Sequence, residues 1–213
     1  MIQREAISGV ILAGGQARRM QNAAGDQSTA GKPVEKGLLA LHGEPLVAWG
    51  RRYLAPRVGT VYISANRCAK AYGRYGQVVG DDPDLGENLG PLAGLASVMA
   101  KASTPWLLLL PVDVPAPPVD LLERLAARTL EEEAPIAYAA CGKDRHPLCM
   151  LVHCRTLGSL RDYLRSGGRK VRVWQEQNGA VRADFPAGEA AFFNINAPED
   201  LVQARKIIPP PTA

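Results

Sequence analysis

The sequence predicts a single-domain, Rossmann-like α/β fold, with a mostly parallel sheet and helices on both faces. Short runs of β-branched residues and leucine alternate with amphipathic stretches, which is the order of strand and helix expected in βαβ units. Prolines stand where several of the helices would begin, since proline fits the first turn of a helix. With 213 residues, of which 46% are hydrophobic and 22% charged, the chain can bury one full core.

Four pairs of a strand and a helix account for the first part of the chain. The predicted strands cover residues 7–12, 58–64, 77–79 and 106–110, and the helices that follow them cover residues 45–54, 68–75, 91–102 and 119–130. Pro45, Pro91 and Pro118 mark three of the helix starts. Two further strands, 135–141 and 146–153, and two closing helices, 156–165 and 198–207, complete the prediction. We expect residues 1–208 to form the domain and residues 209–213 to be a frayed tail.

The composition argues against a nucleic-acid partner, a membrane protein and a disulfide scaffold. The formal charge is +4 and the isoelectric point about 9.0, but the basic residues are scattered along the chain rather than concentrated in one segment. No apolar run approaches the roughly 20 residues of a membrane span, and the short apolar stretch near the start does not fit a signal peptide. The four cysteines show no CxxC spacing, so we expect reduced thiols. These features predict a cytoplasmic protein.

A glycine-rich turn follows the first predicted strand. Leu12, Ala13, Gly14 and Gly15 form its end, and a pair of arginines that closes with Arg19 follows almost directly. Glycines let backbone N–H groups approach a ligand closely, and guanidinium groups bind phosphate oxygens. The spacing of the nearby glycines and lysines fits neither the P-loop nor the dinucleotide-binding fingerprint. The turn therefore predicts a phosphate-binding loop of another kind.

An irregular segment, residues 21–35, separates this turn from the first predicted helix. It is rich in Gly, Ala, Ser, Asp and Gln and has no apolar periodicity. Ligands of open α/β sheets bind beyond the carboxyl ends of the strands. We therefore expect this loop to lie at the active site.

Two charged residues beside apolar runs are candidates for phosphate and metal binding. Lys36 stands just before Leu38 and Leu39, where it is either a solvated surface charge or a phosphate ligand. Asp113 follows the fourth predicted strand and lies between prolines, a position where a buried carboxylate is costly without a cation. A metal ion that holds a phosphate would supply that cation, and capping of a helix is the alternative role.

Acidic residues after the third predicted strand are candidates for binding a base. Asp81 and Asp82 could accept hydrogen bonds from guanine, which offers both an N1–H and an N2 amino group. The alternative is that they cap a turn, which is the commoner use of aspartate before proline. Asn66, at the end of the second strand, is expected to face the same crevice.

Taken together, these motifs resemble those of the molybdenum cofactor guanylyltransferases. The resemblance rests on an ordered set that spans nearly the whole chain: Leu-Ala-Gly-Gly at 12–15 with Arg-Met at 19–20, Lys-Gly-Leu-Leu at 36–39, Gly-Pro-Leu-Ala-Gly at 90–94 and Pro-Val-Asp-Val-Pro at 111–115. Arg-His-Pro-Leu at 145–148 and Asn-Ile-Asn at 194–196 extend it. Many nucleotidyltransferases share the first motif, whereas the ordered set is specific.

The resemblance implies the fold of the nucleotide-diphospho-sugar transferases and the transfer of GMP from GTP to the phosphate of molybdopterin. It implies that Lys36 and Arg19 neutralise the phosphates and that Asp113 binds Mg²⁺. Implied partners are cofactor-delivery and molybdoenzyme-maturation proteins. The implied contacts are Leu12, Ala13, Gly14, Gly15, Ser64, Asn66, Asp81 or Asp82, and Gly90 on the GTP side, and His146, Asn194 and Asn196 on the molybdopterin side.

Three departures from the family pattern bear on the nucleotide contacts. Glu35 replaces the usual aspartate, Ser64 stands where asparagine is common, and an extra residue at 81–82 leaves the matching carboxylate open. The reaction class is less affected, because an ionised phosphate nucleophile needs no general base. Rival interpretations are a cytidylyltransferase acting on the same pterin, a sugar-1-phosphate nucleotidyltransferase and a non-catalytic nucleotide-binding module.

Overall fold

The computed structural model describes residues 2–14, 35–86, 90–186, 188 and 190–211 of the chain. The strands in it are β1 (Ile7–Leu12), β2 (Ala40–Leu41), β3 (Glu44–Pro45), β4 (Thr60–Ser64), β5 (Gln77–Val79), β6 (Trp106–Pro111), β7 (Ile136–Cys141), β8 (Asp144–His153) and β9 (Val181–Phe185). The α-helices are α1 (Leu46–Leu54), α2 (Ala69–Tyr72), α3 (Pro91–Lys101), α4 (Leu121–Glu131), α5 (Leu157–Arg165), α6 (Val171–Gln177) and α7 (Pro198–Ile207).

Seven of these strands form one sheet in the order β5-β4-β1-β6-β8-β7-β9. The pairs β5–β4, β4–β1, β1–β6 and β7–β9 are parallel, and β8 runs antiparallel to both of its neighbours. All strands of this sheet except β8 therefore point in one direction. The prediction of a mostly parallel sheet is confirmed.

Helices cover both faces of the sheet, as predicted. Along β1 the side chains alternate, so that Ile7 and Ile11 join one core layer while Val10 and Leu12 join the other. Buried residues of α1, α4 and α7 pack in the first layer, and those of α3, α5 and α6 pack in the second. A strand buried on both faces has no polar side to show, which is why β1 and β6 are almost continuous apolar runs in the sequence.

The register of the parallel strands sets the position of the site. Leu12 lies opposite Ser64 on one side and opposite Pro111 on the other, and Ser64 lies opposite Val79. The carboxyl ends of β5, β4, β1 and β6 thus reach the same edge. The chain adds β4 and β5 on one side of β1 and then returns to add β6 on the other side. Such a switch of direction opens a crevice beyond the strand ends, where ligands of α/β sheets bind.

Most predicted elements are confirmed to within two residues of their bounds. The helix predicted at 68–75 is wrong in length, because α2 covers only Ala69–Tyr72. Pro118 does not begin a helix; its carbonyl accepts the N–H of Leu121 in the turn before α4. The sequence analysis missed α6, β9 and the β2–β3 hairpin, all of which are short.

Several further expectations bear on the whole chain. Cys68, Cys141, Cys149 and Cys154 are free thiols, as expected. Within the described part of the chain, no helix combines the length and the apolar character that crossing a membrane requires. The predicted loop at 21–35 lies outside the described residues except for Glu35, and the last two residues of the predicted tail do so as well.

Candidate active site

Lys36 and Asp113 form a short ion pair at the edge where the parallel strands end. Lys36 Nζ lies 2.7 Å from Asp113 Oδ2, and the two side chains are 12% and 21% exposed. Lys36 Nζ also donates a hydrogen bond to Asn196 Oδ1 at 2.7 Å. The structure thus brings together the predicted phosphate ligand, the predicted metal ligand and a residue predicted for the molybdopterin side.

The backbone around Asp113 holds its carboxylate at this edge. The N–H of Val112 donates to the carbonyl of Leu12, and the carbonyl of Asp113 accepts from the N–H of Ile195. The N-cap of α4 is Asp120, so the alternative of a helix cap at Asp113 is wrong. Lys36 supplies a cation beside the Asp113 carboxylate, so a metal ion is not the only group that can compensate its charge.

The surroundings of Asp113 fit a metal ion that is shared with a bound phosphate. Among the residues that the structure describes, no group of three or more His, Cys, Asp and Glu side chains could hold a metal ion. Mg²⁺ is commonly held by one or two carboxylates together with substrate phosphates and waters, rather than by a cage of protein ligands. A single, partly exposed carboxylate at the ligand edge of the sheet matches that mode of binding.

A second polar pair, Asn66 and Asp81, lies where β4 and β5 end. Asn66 Nδ2 donates to Asp81 Oδ2 at 2.8 Å, and the backbone N–H of Asp81 donates to Asn66 Oδ1 at 2.7 Å. The two reciprocal hydrogen bonds fix the carboxylate of Asp81 against the loop after β4. This pair places both residues at the crevice, as the sequence analysis expected.

Asp82 has a different role from its neighbour. Its Oδ1 accepts from the N–H of Asp84 and caps the short turn at Pro83–Leu85, while its own N–H donates to Ser97 Oγ. Its Oδ2 lies 3.5 Å from an Nη of Arg161 on α5. Of the two alternatives for this pair, turn capping holds for Asp82, which leaves Asp81 as the candidate for base binding.

Ser64 and Gly90 frame the start of α3 beside Asp81. Ser64 is buried, and its side chain lies against Gly94 on α3. Gly90 is the N-cap of α3 and has a φ of 72°, in the region that favours glycine. Pro91 follows as the first helical residue, as predicted. The sequence Gly-Pro-Leu-Ala-Gly therefore serves both the helix start and the close approach of Ser64.

The turn after β1 is described only in part. Leu12 ends the strand, and the N–H of Ala13 donates to the carbonyl of Ser64 at 2.9 Å. Gly14 is exposed, and among the described residues a Cβ there would meet only the Ser64 carbonyl, at 3.9 Å. The predicted phosphate contacts of Gly15 and Arg19 lie outside the described residues.

His146 stacks on Phe192 at the opposite side of the ligand edge. Their ring centroids are 4.3 Å apart and the rings are nearly parallel, at 12°. Burial lowers the pKa of His146, and the weaker opposing effect comes from Asp144, so the ring is neutral near pH 7. Phe192 has a positive φ of 58°, and the chain then turns through the exposed Asn194 to Asn196. This side of the site carries an aromatic surface beside polar amides.

A partly buried cluster of side chains below Lys36 was not predicted from the sequence. The carboxylate of Glu35, which had been noted only as a departure from the family pattern, lies 2.6 Å from Arg67 Nε. The ring of Tyr72 is fully buried beneath Gly37, and a Cβ on Gly37 would lie 2.7 Å from its hydroxyl. The signals for Arg67 and Tyr72 were weak, because each is a single residue whose contacts are distant in sequence.

The chain is similar in sequence to known nucleotidyltransferases. Residues 9–181 match the family model of the MobA-like NTP transferase domain. A molybdenum cofactor guanylyltransferase from Shewanella loihica is 36% identical to this chain over 95% of the chain and 97% of its own length.

Solved structures show the same fold at lower identity. The molybdopterin-guanine dinucleotide biosynthesis protein A of Archaeoglobus fulgidus superposes with a TM-score of 0.73 at 22% identity, covering 94% of this chain and 97% of its own. Rv0371c of Mycobacterium tuberculosis, in a complex with manganese, gives a TM-score of 0.63 at 16% identity, covering 95% and 99%. The fold is that of known nucleotidyltransferases.

The close approach of Ser64 to α3 predicts that Gly94→Ala lowers the melting temperature. A Cβ at Gly94 would lie 2.0 Å from Ser64 Oγ and 3.1 Å from Ser64 Cβ. Overpacking of this kind costs about 1–3 kcal/mol, and each kcal/mol corresponds to roughly 2–4 °C in a chain of this size. Adding Ser64→Ala removes the nearest atom and should recover part of the loss in a thermal melt.

Gly158→Ala is the matched control for this substitution. Gly158 also lies in a helix, α5, but a Cβ there would meet none of the described residues within 4 Å. Alanine should therefore leave the melting temperature unchanged or raise it, since alanine favours helix over glycine. Equal melting temperatures for Gly94→Ala and Gly158→Ala would contradict the packing argument.

Proposed function

Because this chain belongs to the molybdenum cofactor guanylyltransferase family, we propose that it transfers GMP from GTP to the phosphate of molybdopterin and releases pyrophosphate. The observation that carries the proposal is the convergence of Lys36, Asp113 and Asn196 at the ligand edge of the sheet. The Asn66–Asp81 pair lies at the ends of two strands of the same edge. A cation, a carboxylate and a base-binding carboxylate are the groups that this reaction needs.

The main obstacle to the reaction is electrostatic. The phosphate of molybdopterin is already ionised, so it attacks the α-phosphorus of GTP without a general base, but two anions must approach each other. Positioned cations offset this repulsion and stabilise charge on the leaving pyrophosphate. Lys36 is such a cation, and it can transfer its hydrogen bonds from Asp113 and Asn196 to phosphate oxygens when GTP enters. We assign the same role to Arg19.

Asp113 is the residue that would hold Mg²⁺ together with the phosphates of GTP. The ion, when bound, acts as a Lewis acid on the phosphate oxygens and adds positive charge. Asp113 is suited to this because its backbone is fixed on both sides and its carboxylate already faces a cation, Lys36. The ion pair keeps the carboxylate compensated before the metal arrives.

Guanine recognition falls to Asp81. Its carboxylate is fixed by Asn66 and can accept from the N1–H and N2 amino groups of guanine, whereas cytosine offers only its N4 amino group. Asp82 is engaged in capping and in its contact with Arg161, so it does not take this role. Leu12, Ala13, Gly14, Gly15, Ser64 and Gly90 complete the proposed GTP site.

The molybdopterin side is formed by His146, Asn194 and Asn196. The neutral ring of His146, stacked on Phe192, offers a flat apolar surface with one polar edge, which suits a planar heterocycle. Asn196 also contacts Lys36, which links this side to the phosphate side. We further propose a cytoplasmic enzyme that receives its pterin from a delivery protein and binds neither nucleic acid nor membrane, in keeping with its scattered basic residues.

Pyrophosphate release with GTP or CTP, in the presence of molybdopterin and Mg²⁺, tests the proposal directly. GTP should support release and CTP should not. Release with CTP but not with GTP would favour the cytidylyltransferase. Release only when a sugar 1-phosphate replaces molybdopterin would favour a sugar-1-phosphate nucleotidyltransferase. No release with any of these substrates would leave a non-catalytic binding module.

Asp81→Asn should reduce the preference for GTP over CTP. The substitution keeps the size of the side chain but replaces an acceptor oxygen with an amino group, which cannot accept from guanine. Loss of one charged hydrogen bond of about 1.5–3 kcal/mol predicts at least a tenfold lower preference in kcat/KM. Asp82→Asn is the matched control and should keep the preference, because asparagine caps turns equally well. Equal effects of the two substitutions would refute the assignment of Asp81.

Asp113→Asn should lower activity by about 100-fold or more, because the substitution removes the charge that is proposed to hold the metal. The melting temperature without ligand should also fall. Lys36 is only 12% exposed and would lose its charged partner, although Asn196 remains. The measurements are pyrophosphate release across a Mg²⁺ titration and a thermal melt of the ligand-free protein.

Asp120→Asn is the matched control for Asp113→Asn. Asp120 is the exposed N-cap of α4 and pairs with Arg124 at the surface. Its side chain makes no capping hydrogen bond in the described structure, and a surface ion pair contributes little, so activity and stability should remain near those of the wild type. Near-normal activity of Asp113→Asn at ordinary Mg²⁺ concentrations would rule out its metal role.

A further inference from the structure

The residue before Lys36 is anchored inside the protein. Glu35 has a side chain that is only 7% exposed, and its Oε1 lies 2.6 Å from Arg67 Nε. A buried carboxylate is strongly unfavourable unless a cation compensates it, so the position of Arg67 matters for this segment. Arg67 itself is 37% exposed and follows β4. The ion pair therefore ties the residue next to Lys36 to the loop after β4.

Tyr72 forms the floor of the same cluster. Its ring is fully buried, and its hydroxyl lies so near Gly37 that a Cβ there would come within 2.7 Å of it. Its pKa is raised, first by burial and next by the negative charge of Glu35, so the hydroxyl keeps its proton. Gly37 is the residue that permits this contact. The floor thus supports the Lys-Gly segment from below.

The backbone transmits this anchoring to Lys36. The N–H of Leu38 donates to the carbonyl of Glu35 at 3.0 Å, and the N–H of Leu39 donates to the carbonyl of Lys36 at 3.1 Å. Lys36 is the first residue of the resulting 3₁₀ turn. With Glu35 fixed on one side and the turn on the other, the Cα–Cβ direction of Lys36 is set toward Asp113 and Asn196.

The cluster also reaches the nucleoside side of the site. Arg67 follows directly after Asn66, whose side chain makes two hydrogen bonds with Asp81. The short loop after β4 therefore holds Glu35 through Arg67 and holds Asp81 through Asn66. The phosphate side and the base side are joined by this loop, independently of the sheet.

We propose that Glu35, Arg67 and Tyr72 are positioning residues that hold Lys36 in the geometry needed for the phosphates of GTP. The proposal rests on the proposed function. In the proposed reaction, none of these three residues touches the reacting atoms. Glu35 and Arg67 act as a neutral pair, which fixes the segment without placing a net negative charge beside the phosphates, and Tyr72 supports the segment from below.

The test is a double-mutant cycle between Glu35→Gln and Lys36→Ala, measured by pyrophosphate release from GTP. Glu35→Gln keeps the shape and removes the ion pair, so we expect kcat to fall about tenfold while KM for GTP changes little. In the Lys36→Ala background, Glu35→Gln should cost less than about twofold more, because the residue it positions is gone. If the ion pair only stabilises the fold, Glu35→Gln should cause the same fold-loss of kcat with and without Lys36, or no loss in either case.

A second pair of variants tests the sign of the charge effect. Arg67→Met removes the cation that the described residues place beside the buried Glu35 carboxylate. This variant should therefore have a lower melting temperature than Glu35→Gln/Arg67→Met, in which the negative charge is also removed. Tyr72→Phe keeps the ring but removes the hydroxyl that lies against Gly37, so kcat should fall while the protein stays folded. Glu44→Gln is the matched control, because Glu44 pairs with Arg52 at the exposed surface and should keep both activity and stability.

The outcomes separate this inference from the proposed function. If the wild type releases no pyrophosphate from GTP, the proposed function fails and the inference fails with it. If the wild type is active and Glu35→Gln has the same kcat, the inference alone is overturned. Full additivity of Glu35→Gln and Lys36→Ala, with folded variants, would overturn it as well. A tenfold loss that disappears without Lys36 supports it.

Discussion

The ion pair between Lys36 and Asp113 is the interaction on which the arrangement of the site depends. It joins the segment that follows the glycine-rich turn to the end of the fourth parallel strand, and Asn196 adds a third, distant segment to the same ammonium group. In the proposed reaction the site must present positive charge to phosphates, and it must also keep a carboxylate that can share a metal ion. Pairing the two with each other solves this conflict in the ligand-free protein, because neither charge is left uncompensated near the core.

The main elements of the fold were predictable because local pattern and tertiary role agree in them. Strands such as β1 and β6 are buried on both faces, so they appear in the sequence as continuous apolar runs, and α3 starts at a proline. The missed elements lack such signals. α6 buries only Trp174 and Gln175, and β9 is a short strand at the end of the sheet, so packing rather than periodicity decides their structure.

The sequence singles out candidate site residues, but it does not indicate the contacts between them. The sequence singled out Lys36, Asp113 and Asn196, but nothing in it indicated that they touch, because the contacts span most of the chain. It left Asp81 and Asp82 open as well. The structure distinguishes them, because Asp82 accepts the N–H of Asp84 and lies near Arg161, whereas Asp81 pairs with Asn66. The cluster of Glu35, Arg67 and Tyr72 carries no motif at all, since each partner is a single residue brought near by the fold.

The single antiparallel strand, β8, sets one part of the candidate site apart from the parallel strands. β8 pairs with β6 only from Met150 onward, while Arg145 and His146 pair with β7 alone. The tip of the β7–β8 hairpin therefore stands apart from the four parallel strands whose ends carry the proposed GTP contacts. A substitution at this tip would leave the pairing of those four strands unchanged. Under the proposed function, the shape of the acceptor surface at this hairpin can therefore be changed separately from the nucleotide-binding strand ends.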